Sequence, residues 1–301
     1  MTARLLAFAL ALIAPSCAAQ AQNVPHIESE QISEASGLAI SSASDDFLWT
    51  LNDSGGSDHL HLFRTDGSDL GKVKVSNAKN IDWEDLASFT LDGKNYLLVA
   101  DVGDNDARRD TCTLYVVPEP KLPAAGQKLD GNIAASWHIH FRYEDGPRDC
   151  EAVAVDVVDE KIILISKRAK PSGVYELPLR GSVKRGVIVA RRIGQTAVDS
   201  TIGSLIPFAS QPTGFDISRD RSHAAVATYF GVFLFPRHDG EIWAKALARR
   251  PASLGPHGLS QAESAAFSRD GTVLYVVSEG KNSPVFRYGL GRNHNLSDSA
   301  E

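Results

Sequence analysis

Methionine is almost absent: Met1 is the only one among 301 residues. A Met-rich, adaptable binding groove is therefore excluded. No basic run stands out, and 31 Lys and Arg against 37 Asp and Glu leave a net charge of −6. That balance argues against a nucleic-acid partner. Beyond the N-terminus no stretch approaches the roughly 18 apolar residues that a membrane span needs. The pattern Gly-x-Ser-x-Gly is missing, so the nucleophile elbow of α/β-hydrolases has no support. Cysteine is scarce, at three residues. What is ordinary also excludes: 43% hydrophobic and 23% charged residues suit neither a disordered nor a fibrous chain.

The N-terminus reads as an export signal. Arg4 precedes the apolar run Leu5–Ala14, and Ala19-Gln20-Ala21 is an A-x-A cleavage site. Residues 1–21 are assigned to a signal peptide, 22–290 to one β domain and 291–301 to a disordered tail. The mature protein is expected to be periplasmic or secreted and monomeric. Cys17 as a lipid anchor is the weaker alternative, because Ala14-Pro15-Ser16 makes a poor lipobox. Cleavage leaves Cys112 and Cys150, and in an oxidising compartment such a pair is expected to form a disulfide. The alternative is two buried free thiols.

An internal repeat decides the fold class. A polar residue, a small or acidic one, then an apolar-small-apolar triplet recurs five times. The copies start at Ser36, Glu84, Glu151, Thr213 and Glu263. Each leads through a turn signal into a second apolar run: Phe47–Leu51, Tyr96–Ala100, Ile162–Ile165, Ala224–Ala227 and Val273–Val277. Short β-rich runs bounded by Asp, Gly and Asn are strands. Third and fourth strands follow in most units. The fourth strand of unit four, near Glu241–Ala248, reads equally as a helical turn. The fifth unit has three strands, ending with Val285–Tyr288, and Val24–Ser29 is expected to supply its missing one. Four-stranded units at this spacing predict an all-β, five-bladed β-propeller. A β-sandwich is the competing reading. Ala39, Ala87, Ala154 and Ala266 form a small column on the inner strands, which Asp216 interrupts.

Pseudo-symmetry aims Ser36, Glu84, Glu151, Thr213 and Glu263 at the axis. Three carboxylates crowded there repel, each like pair by about 1–4 kcal/mol at effective dielectrics of 80 to 20. Such a ring needs a cation or raised pKa values. Oxygen-only ligands in a roomy cage suit Ca2+ better than Mg2+. The alternative is Glu side chains solvated by channel water or paired with Lys and Arg. The loops on the same face carry Asn52, Asp53, Ser54, Asp101, Asp104, Asp106, Arg108, Arg109, Arg148, Asp149, Lys167, Arg168, Tyr229 and Glu279. Convergent charges of this kind are the default site. Asp101, Arg109 and Lys167 are the candidate catalytic residues: Glu84, Glu151 or Asp101 as base, Arg109 or Lys167 against a phosphate. His138 and His140 share one face of a strand but read as outer-strand surface.

The inner-strand series Ser, Glu, Glu, Thr, Glu in a five-unit exported chain resembles the calcium-activated nucleotidase (apyrase) family. Asn52-Asp53-Ser54-Gly55-Gly56 stands where that family has Asp-Asp-Arg-Thr-Gly, without the Arg. The resemblance implies a Ca2+ in the central channel and hydrolysis of nucleoside di- or triphosphates. Asp82-Trp83-Glu84-Asp85-Leu86-Ala87 and Gly103–Arg109 are similar to a group of exported bacterial propellers. The Glu-plus-small motif is similar to esterase-like-phytase-type propellers. The expected function is a Ca2+-dependent hydrolase acting on a small phosphate ester or anhydride. The alternative is a non-catalytic propeller that binds protein or glycan, its metal structural.

Overall fold

Apolar runs bounded by Asp, Gly and Asn turns become strands throughout the computed structural model, which describes residues 24–180, 186–198 and 208–291. The expected signal peptide lies outside the described residues, as does the expected tail beyond residue 291. Five consecutive antiparallel meanders follow one another. The first is β1 (Ala35–Ile40), β2 (Phe47–Asn52), β3 (His59–Arg64) and β4 (Asp69–Val75). The second is β5 (Trp83–Leu91), β6 (Lys94–Asp101) and β7 (Cys112–Pro118), then, past the short β8 (Asn132–Ile133), β9 (Trp137–Tyr143). The third is β10 (Cys150–Asp156), β11 (Lys161–Ser166), β12 (Gly173–Pro178) and β13 (Ile188–Gln195). The fourth is β14 (Pro212–Ile217), β15 (His223–Thr228), β16 (Gly231–Pro236), the helix α1 (Trp243–Ala248) and β17 (Ala252–Pro256). The last is β18 (Ala266–Phe267), β19 (Val273–Val276) and β20 (Phe286–Gly289).

The described residues are all-β apart from α1, as the repeat predicts. Hydrogen bonding does not divide it into five separate four-stranded sheets. It gives sheets of five, eight, four and three strands. β8 joins β4 in parallel, and β13 pairs in parallel with β9, fusing the second and third meanders. β9 is thus covered by β13 at Phe141–Tyr143, while His138 and His140 lie before that pairing, His140 exposed at the surface as expected. The first strands of the five meanders contact one another in cyclic order, β1 with β5, β5 with β10, β10 with β14, β14 with β18 and β18 with β1. The core lies between neighbouring meanders. Leu98, Leu114 and Phe141 of the second, for instance, pack with Val153, Leu164 and Tyr175 of the third.

Two boundaries depart from the sequence reading. Residues Trp243–Ala248 form a helix, and the fourth strand of that meander comes later, at β17. Ala244, Ala246, Leu247 and Ala248 are strong helix formers, and Trp243, Ala246 and Leu247 bury one face. The N-terminal segment does meet the last meander, but as one bridge, His26 to Pro284. Ile27 N donates to Ser283 O at 2.9 Å, and Val285 N to Pro25 O at 2.7 Å.

The expected disulfide is not formed: Cys112 and Cys150 are separate buried thiols. Each Sγ faces a main-chain carbonyl of its own surroundings, Val102 O at 3.9 Å for Cys112 and Ile165 O at 3.4 Å for Cys150. Burial pushes both thiols up to about 12, so neither is a ready thiolate.

Candidate functional site at the head of the inner strands

The ladder between first and second strands slips once in each of four meanders, at the repeat's polar residue. The register skips Glu84 in β5, Glu151 in β10 and Thr213 in β14, and in β1 it skips Gly37, one residue on. A bulge leaves a residue unpaired and re-aims its side chain. Gly37 sits at φ 66°, and a Cβ there would overlap the Asp85–Leu86 backbone of the neighbouring strand. A glycine is required for that approach.

The two hydroxyls of the ring stitch neighbouring strands. Ser36 Oγ donates to Glu84 O at 2.6 Å and lies 3.5 Å from Glu84 Oε2. Thr213 Oγ1 donates to Ala262 O at 2.7 Å. The three glutamates are buried, at 2–4% exposure, and loop acids surround them. Three groups each bring one carboxylate oxygen per residue within 4.8 Å of the others: Asp53, Asp82 and Glu84; Asp53, Glu263 and Glu279; Glu84, Asp149 and Glu151. Asp82 and Glu84 press on Gly103, where a methyl group would overlap both.

Cations neutralise one side of this cluster only. Lys167 Nζ donates to Glu151 Oε2 and, at 2.8 Å, to Tyr229 Oη, above whose ring it also sits. Tyr229 Oη donates on to Glu263 Oε1 at 3.0 Å. Arg168 Nε donates to Asp149 Oδ2 at 2.6 Å. Among the described residues, no ion pair joins Asp53, Asp82, Glu84, Glu263 or Glu279 to a Lys or Arg. Burial, then the charges of Glu151, Asp53, Asp82 and Glu263, holds the Glu84 carboxyl well above the usual carboxylate range. Burial, the Asp53 charge next, pushes Asp82 up to about 6. Burial and the adjoining Glu279 push Glu263 up to about 9. Glu151 rises to about 7 through burial, against the pull of Lys167. The Lys167 ammonium is held charged against burial because Glu151 and Tyr229 accept from it.

The other candidates stand behind this front. Asp101 Oδ1 accepts from Asp82 N at 3.0 Å and pairs with Arg109 at 2.9 Å. Its Oδ2 is buried with no hydrogen-bond partner. Arg109 also donates to Gly103 O at 2.8 Å, so it braces the Asp101–Arg109 loop. Arg148 lies over Tyr143 and Tyr175 and pairs with Asp145, and Arg108 pairs with Asp106 at the surface. Of Arg108, Arg109, Arg148, Lys167 and Arg168, only Lys167 and Arg168 pair with carboxylates of the cluster itself, Glu151 and Asp149.

Sequence reasoning gave Asp82 no role and missed Asp85. Asp85 is fully buried. Its Oδ1 accepts from Leu86 N at 2.8 Å, and its Oδ2 from Val153 N at 2.6 Å and Phe215 N at 3.3 Å, on two other inner strands. Asp216 repeats the device: Oδ1 accepts from Ile217 N and Oδ2 from Phe267 N, both at 2.8 Å. The available signal was the repeat's second position, which reads Gly37, Asp85, Ala152, Gly214 and Ser264, one acid among small residues.

No family model and no curated protein matches the chain. Among solved structures, a luciferin-regenerating enzyme aligns over 87% of this chain and 94% of its own, at 11% identity and a TM-score of 0.46. The apyrase and phytase-type resemblance therefore rests on the sequence motifs alone.

Proposed function

We propose that this chain is an exported five-bladed β-propeller that holds a Ca2+-class cation at the head of its inner strands and hydrolyses a small phosphate ester or anhydride. The five meanders in cyclic contact support the blade count, and the N-terminal export signal supports a periplasmic or secreted location. The carrying observation is the unneutralised half of the acidic cluster. Asp53, Asp82 and Glu84 lie oxygen to oxygen within 4.8 Å, with no ion pair to a Lys or Arg among the described residues. Hard carboxylate oxygens in a cage of this size fit Ca2+, and Lys167 leaves that side to the ion by occupying Glu151.

Such a cation polarises a phosphoryl oxygen and acidifies bound water. The rest falls to the chain. Lys167 has three donors, two of them engaged by Glu151 and Tyr229, and the third is free to bind a phosphoryl oxygen. Glu263, at about 9, carries a proton at neutral pH and hands it to the leaving oxygen as the P–O bond breaks. Glu151, at about 7, suits a base and takes a proton from the attacking water as the new P–O bond forms. Water and the ester thus become an alcohol and phosphate. Asp101 and Arg109 hold the wall from which Asp82 projects and act as positioning residues.

A panel of phosphate esters and anhydrides tests this reading. Turnover is expected in Ca2+, lost in EDTA and restored by added Ca2+. EDTA that lowers the melting temperature, with no turnover anywhere on the panel, would instead establish the non-catalytic binding propeller.

A further inference from the structure

Next to the carboxylates a cavity of about 530 Å3 opens, lined in part by Lys167, Arg168, Phe208, Tyr229, Phe230 and Gln261. Its volume falls within the roughly 300–1,000 Å3 range of small-molecule sites. Two of its walls belong to the site already described. Lys167 binds Glu151 and Tyr229, and Tyr229 binds Glu263. A molecule in the cavity would thus lie one side chain away from the acidic cluster. Among the described residues that line it none is acidic, and the two charged ones, Lys167 and Arg168, are both cationic.

The remaining character is aromatic. Phe208, Tyr229 and Phe230 belong to none of the buried core clusters. Phe208 is 60% exposed at a backbone φ of 67°. A bulky side chain seldom takes that conformation, and strain of this kind gathers at ligand clamps. Aromatic walls favour a flat apolar body through offset or edge contacts, while a Lys ammonium binds phosphate as a point charge.

We propose that this cavity receives the flat apolar part of a small organic anion, its anionic group turned toward Lys167. The substrate class, resting on the hydrolase reading above, is then a phosphate ester of an aryl or similarly planar alcohol.

Calorimetric titration of the Ca2+-loaded protein with two non-hydrolysable anions tests it. The anions are 1-naphthylmethylphosphonate and 2-hydroxyethylphosphonate. The naphthyl compound is expected to bind roughly tenfold more tightly or better, an effect in the range of aromatic contacts. Phe230→Ala is expected to cut that preference to about threefold or less, leaving the hydroxyethylphosphonate affinity unchanged. Phe208→Asn, whose new residue tolerates the left-handed backbone, is a second variant should the first fold poorly. Equal affinities, no binding of either compound, or a preference undiminished in a folded variant would overturn the proposal. A naphthyl preference without turnover of any phosphate ester would keep the cavity and remove the hydrolase. Turnover without the preference would do the reverse.

Discussion

Glu84 and Asp85 are neighbours in sequence, both buried, and both held well above the usual carboxylate range by burial. Their surroundings differ in kind. Asp85 faces three main-chain N–H groups from three inner strands. Glu84 faces other carboxylates, with one hydroxyl 3.5 Å away. Every acceptor needs donors once water is removed. Asp85 has received them from the fold and is a strut. Glu84 has only the distant Ser36 hydroxyl, and it is this shortage of donors among like charges on which the proposed cation site rests. Burial and a raised pKa do not separate the two cases; the identity of the neighbours does.

The largest expected effect is on the strut. Asp85→Ala leaves three buried N–H groups without an acceptor, each costing about 1–3 kcal/mol. Urea unfolding should register a loss of roughly 3 kcal/mol or more. Asp85→Asn keeps one carbonyl acceptor and should lose about half of that. A loss below about 1 kcal/mol for Asp85→Ala would erase the distinction between Asp85 and Glu84.

Glu84→Gln should act with the opposite sign. In metal-free protein at pH 8 it removes like-charge repulsion and should stabilise by about 1 kcal/mol. The same change should weaken Ca2+ binding about tenfold or more in calorimetry, since a charged ligand is lost. Destabilisation comparable to that of Asp85→Ala would mean that Glu84 is a second strut.

The last expected effect, given as a direction, is the pH dependence of the metal-free protein. Asp82 and Glu263 have folded pKa values raised from 3.8 to about 6 and from 4.5 to about 9. Between the unfolded and folded values the unfolded chain binds fewer protons, so stability falls as pH rises. The contribution is fully present below about pH 4 and is lost progressively up to about pH 9. A thermal scan should show a downward drift across that window, and saturating Ca2+ should flatten it through linkage. A rise across the same window in metal-free protein would overturn the account of the acidic cluster.

Strand positions were legible because each strand is a short apolar run with its own turn signals. The predicted runs at Phe47–Leu51 and Ile162–Ile165 lie within one residue of β2 and β11. The helix in the fourth meander was half legible: its alanines favour a helix, but its apolar content allowed a strand. The parallel pairing of β9 with β13 was not legible, because it joins segments that no turn connects. Nor was the state of Cys112 and Cys150, since composition says nothing about where each Sγ points. Among the site residues, Glu84, Glu151 and Glu263 were found by repeat register. Asp82 and Asp85 were quoted within a motif but could not be assigned, because their roles depend on which strands lie across from them.

The sequence by itself determined the five repeats, their strands, and the polar residue that heads each one, because side-chain periodicity and turn chemistry act over a few residues. The tertiary structure alone decided what each acid does. It slipped the ladders at Glu84, Glu151 and Thr213, supplied Asp85 with N–H groups from distant strands, and seated Lys167 on Glu151 while pairing Asp53, Asp82 and Glu84 with no Lys or Arg among the described residues. The physical reason is that the fate of a buried charge depends on donors and charges within a few ångströms, and the fold draws those neighbours from dozens of residues away.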